Sequence, residues 1–358
     1  MKKYLVGGAV RDLILNLPIK DKDYVVVGSS PAELKALGFV QVACAFPVFI
    51  DPVNKHEYAL ARVESKTGRG HKGFSCLFDK HVSLYEDLYR RDLTMNAIAL
   101  DDEGHFYDPY HGMTDIAERR IKHVSERFAE DPLRVLRVSR FYARFYPQGF
   151  FIDPATIEIM RTIVLGQELK YISGERIFME ICKVLDTTRP DLFFITLQEL
   201  DVFSQILLPL AQLSRATLSS LAFAVTMTQK SEYLFTVLLC TLNLDDIQIV
   251  LQSLKAPKII LRLLTIIKKY ERILAGAAGT PEECYAMIKE GLRIKNNFEY
   301  FSDLLALLSL CYPDSISQEQ VALLQQMNVT LNLDAYQPQL TPQQLYQKKL
   351  GLLQKLIS

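Results

Sequence analysis

Asp21 and Asp23 are separated by one residue in the stretch IKDKDYVVV, so their carboxylates could act together in one catalytic site. Side chains along a strand alternate between its faces, so both carboxylates are expected to point one way and Lys20 and Lys22 the other. Two adjacent carboxylates repel each other unless a cation lies between them, and Mg²⁺ binds carboxylate and phosphate oxygens together. We therefore predict a catalytic metal site at Asp21 and Asp23, with Glu57 as the best-placed third carboxylate. A solvated strand end is the plainer alternative for an isolated pair.

A glycine turn lies upstream of this pair, in the stretch YLVGGAVRD. Gly7 and Gly8 end a predicted strand and open a helix, where glycine lets the backbone approach a ligand and unpaired N–H groups face an anion. Arg11 would lie in the first helical turn and could donate to a phosphate. An ordinary tight turn produces the same short motif, so its combination with Asp21 and Asp23 is what favours a phosphate site.

Basic residues in two later segments could neutralise a polyphosphate. In YRRDLTMNAIAL the candidates are Arg90 and Arg91, with Asp92 expected to hold one of them, and an ion-paired helix end is the alternative. The segment EDPLRVLRVSRFYARF is predicted to form a helix with Asp131 as N-cap and Pro132 in its first turn. Its arginines share one face without an intervening acid, so we expect an anionic neighbour rather than protein partners, although an exposed basic helix is the other interpretation. These arginines are Arg134, Arg137, Arg140 and Arg144.

The beginning of the same helix could recognise a nucleotide base. A carboxylate of Glu130 or Asp131 would accept a hydrogen bond from the exocyclic amino group of cytosine or adenine. Arg134 would donate to the ring nitrogen or carbonyl beside it. Uracil and guanine carry a carbonyl at the position where cytosine and adenine carry the amino group. Such a site would therefore accept CTP and ATP and reject UTP and GTP.

The elements that must position these residues change in character near residue 125. Before it, β-branched runs such as KYLVGG, DYVVVG and EYALARVES predict strands, mixed with helical stretches. After it, Leu- and Ile-rich segments with helical periodicity are separated by glycine and proline. The predicted fold class is therefore α+β, a small mixed sheet with helices followed by an all-α remainder.

Composition limits the function classes that need to be considered. The 358 residues carry a formal net charge of +0, so a nucleic-acid surface would have to be a local patch. Six cysteines lie far apart with no CxxC pair, which argues against a zinc site or disulfide framework and for a reducing compartment. The sequence has neither a signal-like start nor an apolar run of the ~20 residues that a membrane span needs, so the expected location is the cytoplasm, with no membrane contact.

Five ordered stretches carry a family resemblance: GGAVRD, KDKDYVVVG, RRDLTMNAIAL, EDPLRVLRVSRF and SGERIFMEICKVL. They resemble the successive motifs of class II tRNA nucleotidyltransferases, the CCA-adding enzymes, in their enterobacterial-like branch. The resemblance runs from Met1 to about Arg189. It implies a polymerase-β-like nucleotidyltransferase head over residues 1–125, a neck that recognises the base over 126–190, a helical body over 191–290 and a tRNA-binding helical tail over 291–358.

The resemblance also implies roles for single residues. Those matching Asp21 and Asp23 bind Mg²⁺, and the loop over residues 63–78 matches a flexible loop linked to the switch from C to A, although a plain surface loop explains its sequence equally well. The implied reaction adds C, C and A to the 3′ end of tRNA from CTP and ATP and releases pyrophosphate, with no obligate protein partner. The nucleotide would be held by Gly8, Arg11, Arg91, Arg137 and Arg140, with Gly7 in the same turn, and read by Glu130, Asp131 and Arg134.

Related activities stay open at the level of sequence. Bacterial poly(A) polymerases have a basic GRRF-like segment after the metal motif, which the stretch SSPAELKALGFVQVACAFPVF lacks. CC-adding members look shortened in the flexible loop, whereas an A-adding specialist is harder to separate. A catalytically idle RNA-binding protein of the same fold is the alternative of another class, and retention of Asp21, Asp23 and the arginines weighs against it.

Histidine usage bears on one further activity. Enterobacterial-type members often carry a C-terminal metal-dependent phosphohydrolase (HD) domain, whose metal ligands include histidines. All six histidines of this chain lie within the first 123 residues. We therefore expect a member without that domain and without phosphatase or phosphodiesterase activity.

Overall fold

A computed structural model describes residues 1–43, 48–66, 74–77, 80–274, 279–292, 322–323, 326–327, 329 and 341–357. The chain divides into two compact units. The first comprises Met1–Glu180 and Thr196–Ile206, and the second Ile181–Ile195 and Leu207–Ser358. Every residue predicted for the site lies in the first unit. Much of the loop predicted to switch between C and A lies outside the described residues.

A seven-stranded mixed sheet and two smaller strand pairs make up the β structure of the first unit. In chain order the strands are β1 Lys2–Val6, β2 Asp23–Val27, β3 Val40–Ala43, β4 Val48–Ile50, β5 Glu57–Leu60, β6 Val63–Lys66, β7 Phe74–Leu77, β8 Ala99–Leu100, β9 Phe106–Tyr107, β10 Arg120–Ile121 and β11 Phe151–Ile152. The large sheet has the order β3-β4-β5-β2-β1-β8-β9, in which only β2 and β5 are parallel. β6 pairs with β7, and β10 with β11.

One predicted strand is two strands in the structure. EYALARVES was expected to be continuous, but β5 ends at Leu60 and β6 begins at Val63 in a different sheet. β-Branched and aromatic content extends over the whole stretch, so local propensity could not reveal the change of pairing partner. The other two quoted runs, KYLVGG and DYVVVG, contain β1 and β2 as predicted.

The large sheet is packed on both faces because neighbouring strand residues point in opposite directions. Val25 belongs to one buried cluster, together with Leu84 and Leu88 of the helix that follows Ser83. Val26 belongs to the other buried cluster, together with Leu34. The central strand that carries Asp23 is thereby fixed from both sides.

Helices cover the sheet and make up most of the described chain after residue 125. In the first unit and its junctions they are α1 Gly8–Ile14, α2 Pro31–Ala36, α3 Leu84–Tyr89, α4 Gly112–Ala117, α5 Leu133–Phe145, α6 Pro154–Leu165, α7 Gly174–Leu185, α8 Pro190–Glu199 and α9 Phe203–Ile206. Further along they are α10 Arg215–Met227, α11 Ser231–Leu239, α12 Leu244–Ser253, α13 Lys258–Lys269, α14 Glu271–Leu274, α15 Pro281–Leu292 and α16 Pro342–Ile357. Short 3₁₀ turns include Thr94–Asn96 and Glu126–Glu130.

The α+β fold class is confirmed: a mixed-sheet head precedes a helical remainder. In the described part after residue 125, the two-residue strand β11 is the one exception to helix and loop. None of the described helices is long and apolar enough to cross a bilayer.

Candidate active site

The glycine turn and the aspartates meet at one edge of the large sheet. β1 ends at Val6, which pairs with Asp23 at the start of β2, so the Gly7–Gly8 turn lies beside Asp23. On the other side of β2, Asp23 is in register with Glu57 of the parallel strand β5. Residues paired in register on neighbouring strands carry their side chains on the same face. The sheet thus aligns two of the three predicted carboxylates, residues far apart in the sequence.

A cleft of about 500 Å³ lies at this edge, and its lining includes Asp21, Asp23 and Glu57. Partial burial raises the pKa of Asp23, Arg91 opposes that rise, and the negative charge of Asp21 adds to it. A divalent cation would relieve this accumulation of like charge, and carboxylate oxygens are the ligands it prefers. The donor set therefore fits a hard metal ion. Asp21 lies two residues before β2 begins, so strand alternation alone does not fix its direction.

The three cleft carboxylates are not gathered within 4.8 Å of one another. Among the described residues, the one group of three metal-type ligands that close together is Asp101, Glu103 and His105, near the turn between β8 and β9. Asp101 accepts hydrogen bonds there from the Tyr107 hydroxyl (3.1 Å) and the His105 backbone N–H (2.8 Å). This second group is explained by turn formation, and Glu57 stays a prediction as third ligand.

Gly7 lies against Arg91. Its φ of 70° is in the left-handed region, and a Cβ atom added to it would come within 3.1 Å of Nη1 of Arg91. The guanidinium is therefore packed onto the turn at the edge where Asp23 begins β2. Its buried Nε has no hydrogen-bond partner among the residues that the structure describes. Arg91 is thus placed as predicted for a residue that would hold the phosphates of a nucleotide, although its role stays a prediction.

The carboxylate that holds Arg90 and Arg91 was predicted wrongly. Asp87, fully buried in α3, accepts from Nη2 of Arg90 at 2.7 Å and from Nη2 of Arg91 at 3.1 Å. Asp92 instead accepts from Arg137 at 2.6 Å. The i,i+3 and i,i+4 spacing from Asp87 to the two arginines was a local signal that could have identified the pairing.

Arg11 is more buried than a freely accessible phosphate ligand would be. It is 3% exposed, and burial lowers its pKa to about 10, which still leaves it charged at neutral pH. Its Nε donates to Asp12 at 2.8 Å and its Nη1 to Asn96 at 2.7 Å. The rings of Phe141 and Phe145 of α5 lie 5.2 and 5.1 Å from the guanidinium carbon. Arg11 therefore links α1 to α5, and its predicted contact with the nucleotide stays a prediction.

The expectation that the arginines of α5 lack protein partners was wrong. Three of them form ion pairs with carboxylates 40 or more residues away in the sequence, and Arg134 donates to backbone carbonyls of Arg127 and Arg90. The ion pairs are Arg137 with Asp92 at 2.6 Å, Arg140 with Glu180 at 2.6 Å and Arg144 with Asp12 at 3.0 Å. A helical pattern reports only acids on the same helix, so it could not reveal these partners.

Asp131, predicted to read the base, is held by a residue that the sequence analysis did not single out. Nη2 of Arg176, in α7, donates to its carboxylate at 2.8 Å, and Nη1 does so at 3.3 Å. The same carboxylate accepts from the backbone N–H of Leu133 at 3.1 Å, so Asp131 caps α5 although the helix begins at Leu133, after Pro132. Glu130 ends the preceding 3₁₀ turn. The three residues predicted to read the base thus lie together at the start of α5.

The Asp92–Arg137 pair predicts a pH-dependent stability. Burial alone would raise the pKa of Asp92, but Arg137, the hydrogen bond from Asn96 and the charge of Arg134 outweigh it and hold the pKa well below the usual value. A depressed pKa means that the stabilisation is present above the unfolded value of about 3.9 and is lost as the pH falls through the folded value. We expect Asp92→Asn to lower the melting temperature at neutral pH. The difference in melting temperature between variant and wild type should narrow below about pH 4. A difference in melting temperature that stays constant from neutral pH to below about pH 4 would contradict the stabilising role of the Asp92–Arg137 pair.

A conservative substitution of Glu180 is expected to cause a large loss of stability. It is buried and accepts from Nε of Arg140 at 2.6 Å, and its other oxygen lies 3.9 Å from Arg137. Glu180→Gln would leave a buried guanidinium charge without its counter-ion. We expect the free energy of unfolding, measured with urea, to fall by about 3 kcal/mol. The matched control is Glu158→Gln, which breaks an exposed pair with Arg161 and should change little. Equal effects of the two changes would contradict the buried-pair argument.

Two family models match this chain. One is described as the poly A polymerase head domain and matches residues 3–122, and the other, described as a probable RNA and SrmB-binding site of polymerase A, matches residues 149–213. Together they match just over half of the chain. Among curated proteins, the CCA-adding enzyme of Actinobacillus succinogenes is 51% identical over 214 residues, 60% of this chain and 54% of that protein. The chain belongs to the family that has the poly A polymerase head domain, and it is similar to CCA-adding enzymes.

A second curated protein shows the same similarity. The multifunctional CCA protein of Shewanella denitrificans is 56% identical over 194 residues, 54% of this chain and 47% of that protein. The chain therefore spans about half the length of the curated relatives it matches. The resemblance drawn from the five motifs is confirmed.

Solved structures of CCA-adding enzymes share the fold. An apo form matches all of this chain and 88% of its own with a TM-score of 0.71 at 19% identity. The Bacillus stearothermophilus enzyme in complex with CTP matches 92% of this chain and 78% of its own, with a TM-score of 0.62 and 25% identity. The Thermotoga maritima enzyme complexed with tRNA matches 99% of this chain and 86% of its own, with a TM-score of 0.65 at 20% identity. The fold of a CCA-adding enzyme thus extends over nearly the whole chain.

Proposed function

We propose that this chain adds C, C and A to the 3′ end of tRNA, using CTP and ATP and releasing pyrophosphate. The observation that carries the proposal is the meeting of the Gly7 turn, the Asp23 carboxylate and the Arg91 guanidinium at one edge of the head sheet. That combination supplies backbone N–H groups and a fixed positive charge for phosphates, next to oxygen ligands for a cation.

The proposed resident ion is Mg²⁺, held by Asp21 and Asp23, with Glu57 as the third carboxylate. The support is the chemistry of the cleft, whose three acids lie beside two lysines of the segment from Lys20 to Lys22. When bound, such ions activate an attacking hydroxyl and stabilise a leaving pyrophosphate. The role proposed for the chain itself is to hold the acids beside one another, and Arg91 provides positive charge that opposes the rise in the pKa of Asp23.

Fixed positive charge around the nucleotide is the main contribution proposed for the arginines. Arg91 would hold the phosphates at the turn, whereas Arg137 and Arg140 would present guanidinium groups from α5. Both α5 arginines are anchored by buried carboxylates, which fixes them before the nucleotide arrives. Groups already oriented toward developing charge need little reorganisation during the reaction, so positioning and electrostatics supply most of the acceleration.

Base selection is proposed to reside at the start of α5. Asp131 would accept from the amino group of cytosine or adenine, and Arg134 would donate to the adjacent ring atom. Arg176 supports this interpretation because its bidentate contact orients the Asp131 carboxylate. The two backbone carbonyls that hold Arg134 fix its guanidinium in the same way.

The proposed partner is the acceptor arm and 3′ end of tRNA, and the proposed location is the cytoplasm. Phosphate contacts would supply most of the affinity, so binding should weaken steeply as salt is raised. Solved relatives include one complexed with tRNA and one in complex with CTP.

The proposal is tested by nucleotide addition to three tRNA transcripts, ending before CCA, after C and after CC. Each is offered CTP alone, ATP alone and both. Stepwise use of CTP on the first two and a single ATP on the third is the expected result. Addition of ATP without any use of CTP would make the chain an A-adding specialist. Long adenylate tails would indicate a poly(A) polymerase, and no addition anywhere would favour an idle RNA-binding protein.

A further inference from the structure

We propose that Asn96 is a positioning residue that ties Arg137, proposed above to contact the nucleotide, to Arg11, whose contact with the nucleotide is predicted from the sequence. This inference rests on the proposed function. Asn96 is 6% exposed and ends the 3₁₀ turn that begins at Thr94. Its side chain stands between a carboxylate and a guanidinium, where both of its polar atoms are used.

The two ends of the Asn96 amide have different partners. Nδ2 donates to Oδ1 of Asp92 at 3.1 Å, and Oδ1 accepts from Nη1 of Arg11 at 2.7 Å. The other oxygen of Asp92 accepts from Nε and Nη2 of Arg137 at 2.8 and 2.6 Å. The amide therefore joins the arginine of the first helix to the arginine of α5 through a single carboxylate.

The connection continues beyond Arg11 and returns to α5. Nε of Arg11 donates to Oδ1 of Asp12 at 2.8 Å, and Oδ2 of Asp12 accepts from Arg144 at 3.0 Å. Arg137 and Arg144 are two helical turns apart on the same helix. The hydrogen bonds thus form a closed path from α5 through the turn and α1 back to α5. We call this path the Asn96 network; its members are Arg137, Asp92, Asn96, Arg11, Asp12 and Arg144.

An amide meets both requirements at the centre of the Asn96 network without a change of charge. It offers a donor and an acceptor in fixed directions, as Asp92 and Arg11 require. An ionised acid of the same shape would still accept from Arg11 but would face Asp92 with like charge. An apolar side chain would remove the acceptor of Nη1 of Arg11 and one of the two donors to Oδ1 of Asp92, whose other donor is the backbone N–H of Leu93.

Loss of the amide should act on the nucleotide more than on the fold of the tRNA-binding helices. Arg11 would keep Asp12 and its two aromatic rings but lose the contact that fixes Nη1. Asp92 would keep Arg137 and the backbone N–H of Leu93 at 2.9 Å, but would lose the side-chain donor that ties it to Asn96. The link between the two guanidinium groups is then broken, and each gains freedom. A ligand held by them then has to order them on binding, which lowers its affinity.

The test compares Asn96→Asp and Asn96→Ala with wild type. The matched control is Gln205→Glu, an isosteric amide-to-acid change at a half-buried side chain whose Nε2 donates to the Val164 carbonyl at 2.7 Å. Affinities for CTP and ATP are measured by equilibrium dialysis with Mg²⁺, tRNA affinity by filter binding, and folding by melting temperature. We expect both Asn96 variants to bind CTP and ATP at least about tenfold more weakly, with tRNA affinity within about twofold of wild type.

The pH profile of Asn96→Asp separates a positioning role from a general loss of stability. When the carboxyl group introduced by this change is protonated, its O–H restores the missing donor toward Asp92 while its carbonyl oxygen still accepts from Arg11. The charged groups around this position are Asp92, Arg11, Arg91 and Arg137. Three arginines against one carboxylate favour the ionised form of the introduced acid at neutral pH. We therefore expect the nucleotide affinity of Asn96→Asp, relative to wild type at the same pH, to recover as the pH falls from about 6 to about 4, toward the usual aspartate pKa of about 3.9. The affinity of Asn96→Ala should show no such recovery.

Three results would overturn the inference. Wild-type nucleotide affinity in Asn96→Ala would show that the amide positions nothing. A parallel loss of nucleotide affinity, tRNA affinity and melting temperature would show a general structural role. The same conclusion would follow if the nucleotide affinity of Asn96→Asp depended on pH in the same way as that of Asn96→Ala. If wild type itself binds no nucleotide, the proposed function fails and the inference with it. Wild-type binding with unaffected variants removes the inference alone.

Discussion

Asp23→Asn is expected to lower nucleotide addition by at least about 10²-fold while the protein stays folded. The change keeps the size of the side chain and removes the charge that a metal ligand must supply. Burial and the neighbouring Asp21 raise the pKa of Asp23, so its ionised form is disfavoured in the folded protein. A neutral amide relieves that cost, and the melting temperature should therefore stay the same or rise. Activity and stability thus move in different directions, as expected where charge is kept for function.

The control for this prediction is Asp102→Asn. Asp102 lies in the same head and pairs with Lys3 at 3.3 Å on the surface, so its loss should leave addition and melting temperature nearly unchanged. Addition is measured on tRNA ending in CC with saturating ATP, and tRNA affinity is measured in parallel. Full activity of Asp23→Asn would show that the metal assignment is wrong. Loss of activity together with the melting transition would point to folding instead.

Gly112→Ala is expected to lower the free energy of unfolding by about 3 kcal/mol or more. Gly112 begins α4, and a Cβ atom there would lie 2.2 Å from the carbonyl oxygen of Thr94 and 2.9 Å from the side chain of Ile98. The nearest atom belongs to the backbone, so no rotamer change can make room. α4 would have to move away from the turn that carries Asn96, which should also weaken nucleotide binding.

Gly166→Ala is the matched control for this steric argument. Gly166 follows α6 in the same unit, and an added Cβ would meet its nearest atom, the Ile163 carbonyl oxygen, at 3.4 Å, an ordinary contact. Its φ of −68° suits alanine, so the free energy of unfolding should change by less than about 1 kcal/mol. Both variants are compared by urea unfolding. Similar midpoints for the two would show that α4 can shift without cost.

Much of the site could be predicted from local sequence because its chemistry is concentrated in short segments. The Gly7–Gly8 turn and the aspartates at 21 and 23 are each recognisable within ten residues, and β1 and β2 form where β-branched content predicts them. The order of five such segments was sufficient to identify the family. The break between Leu60 and Val63 was missed because propensity describes a residue's own backbone and carries no information about its pairing partner.

The partners of the arginines were the main failure of local reasoning. Asp87 could have been found from helical spacing, since it lies three and four residues before Arg90 and Arg91. Asp12, Glu180 and Arg176 could not, because ion pairs between separate elements leave no periodic trace in either element. The same limit hid the Asn96 network, whose central residue looked like one more polar position in RRDLTMNAIAL.

The sequence by itself determined which chemistry this chain carries: paired acids, a glycine turn and a basic helix in the order of a known family. Residue type and short-range spacing suffice for that, because strand alternation and helical periodicity fix directions over a few residues. The tertiary structure alone decided how the charges are matched, placing Asp92, Glu180 and Asp12 against the arginines of α5. Burying a guanidinium requires a counter-charge within contact distance, and only the folded chain brings residues 40 or more positions apart that close.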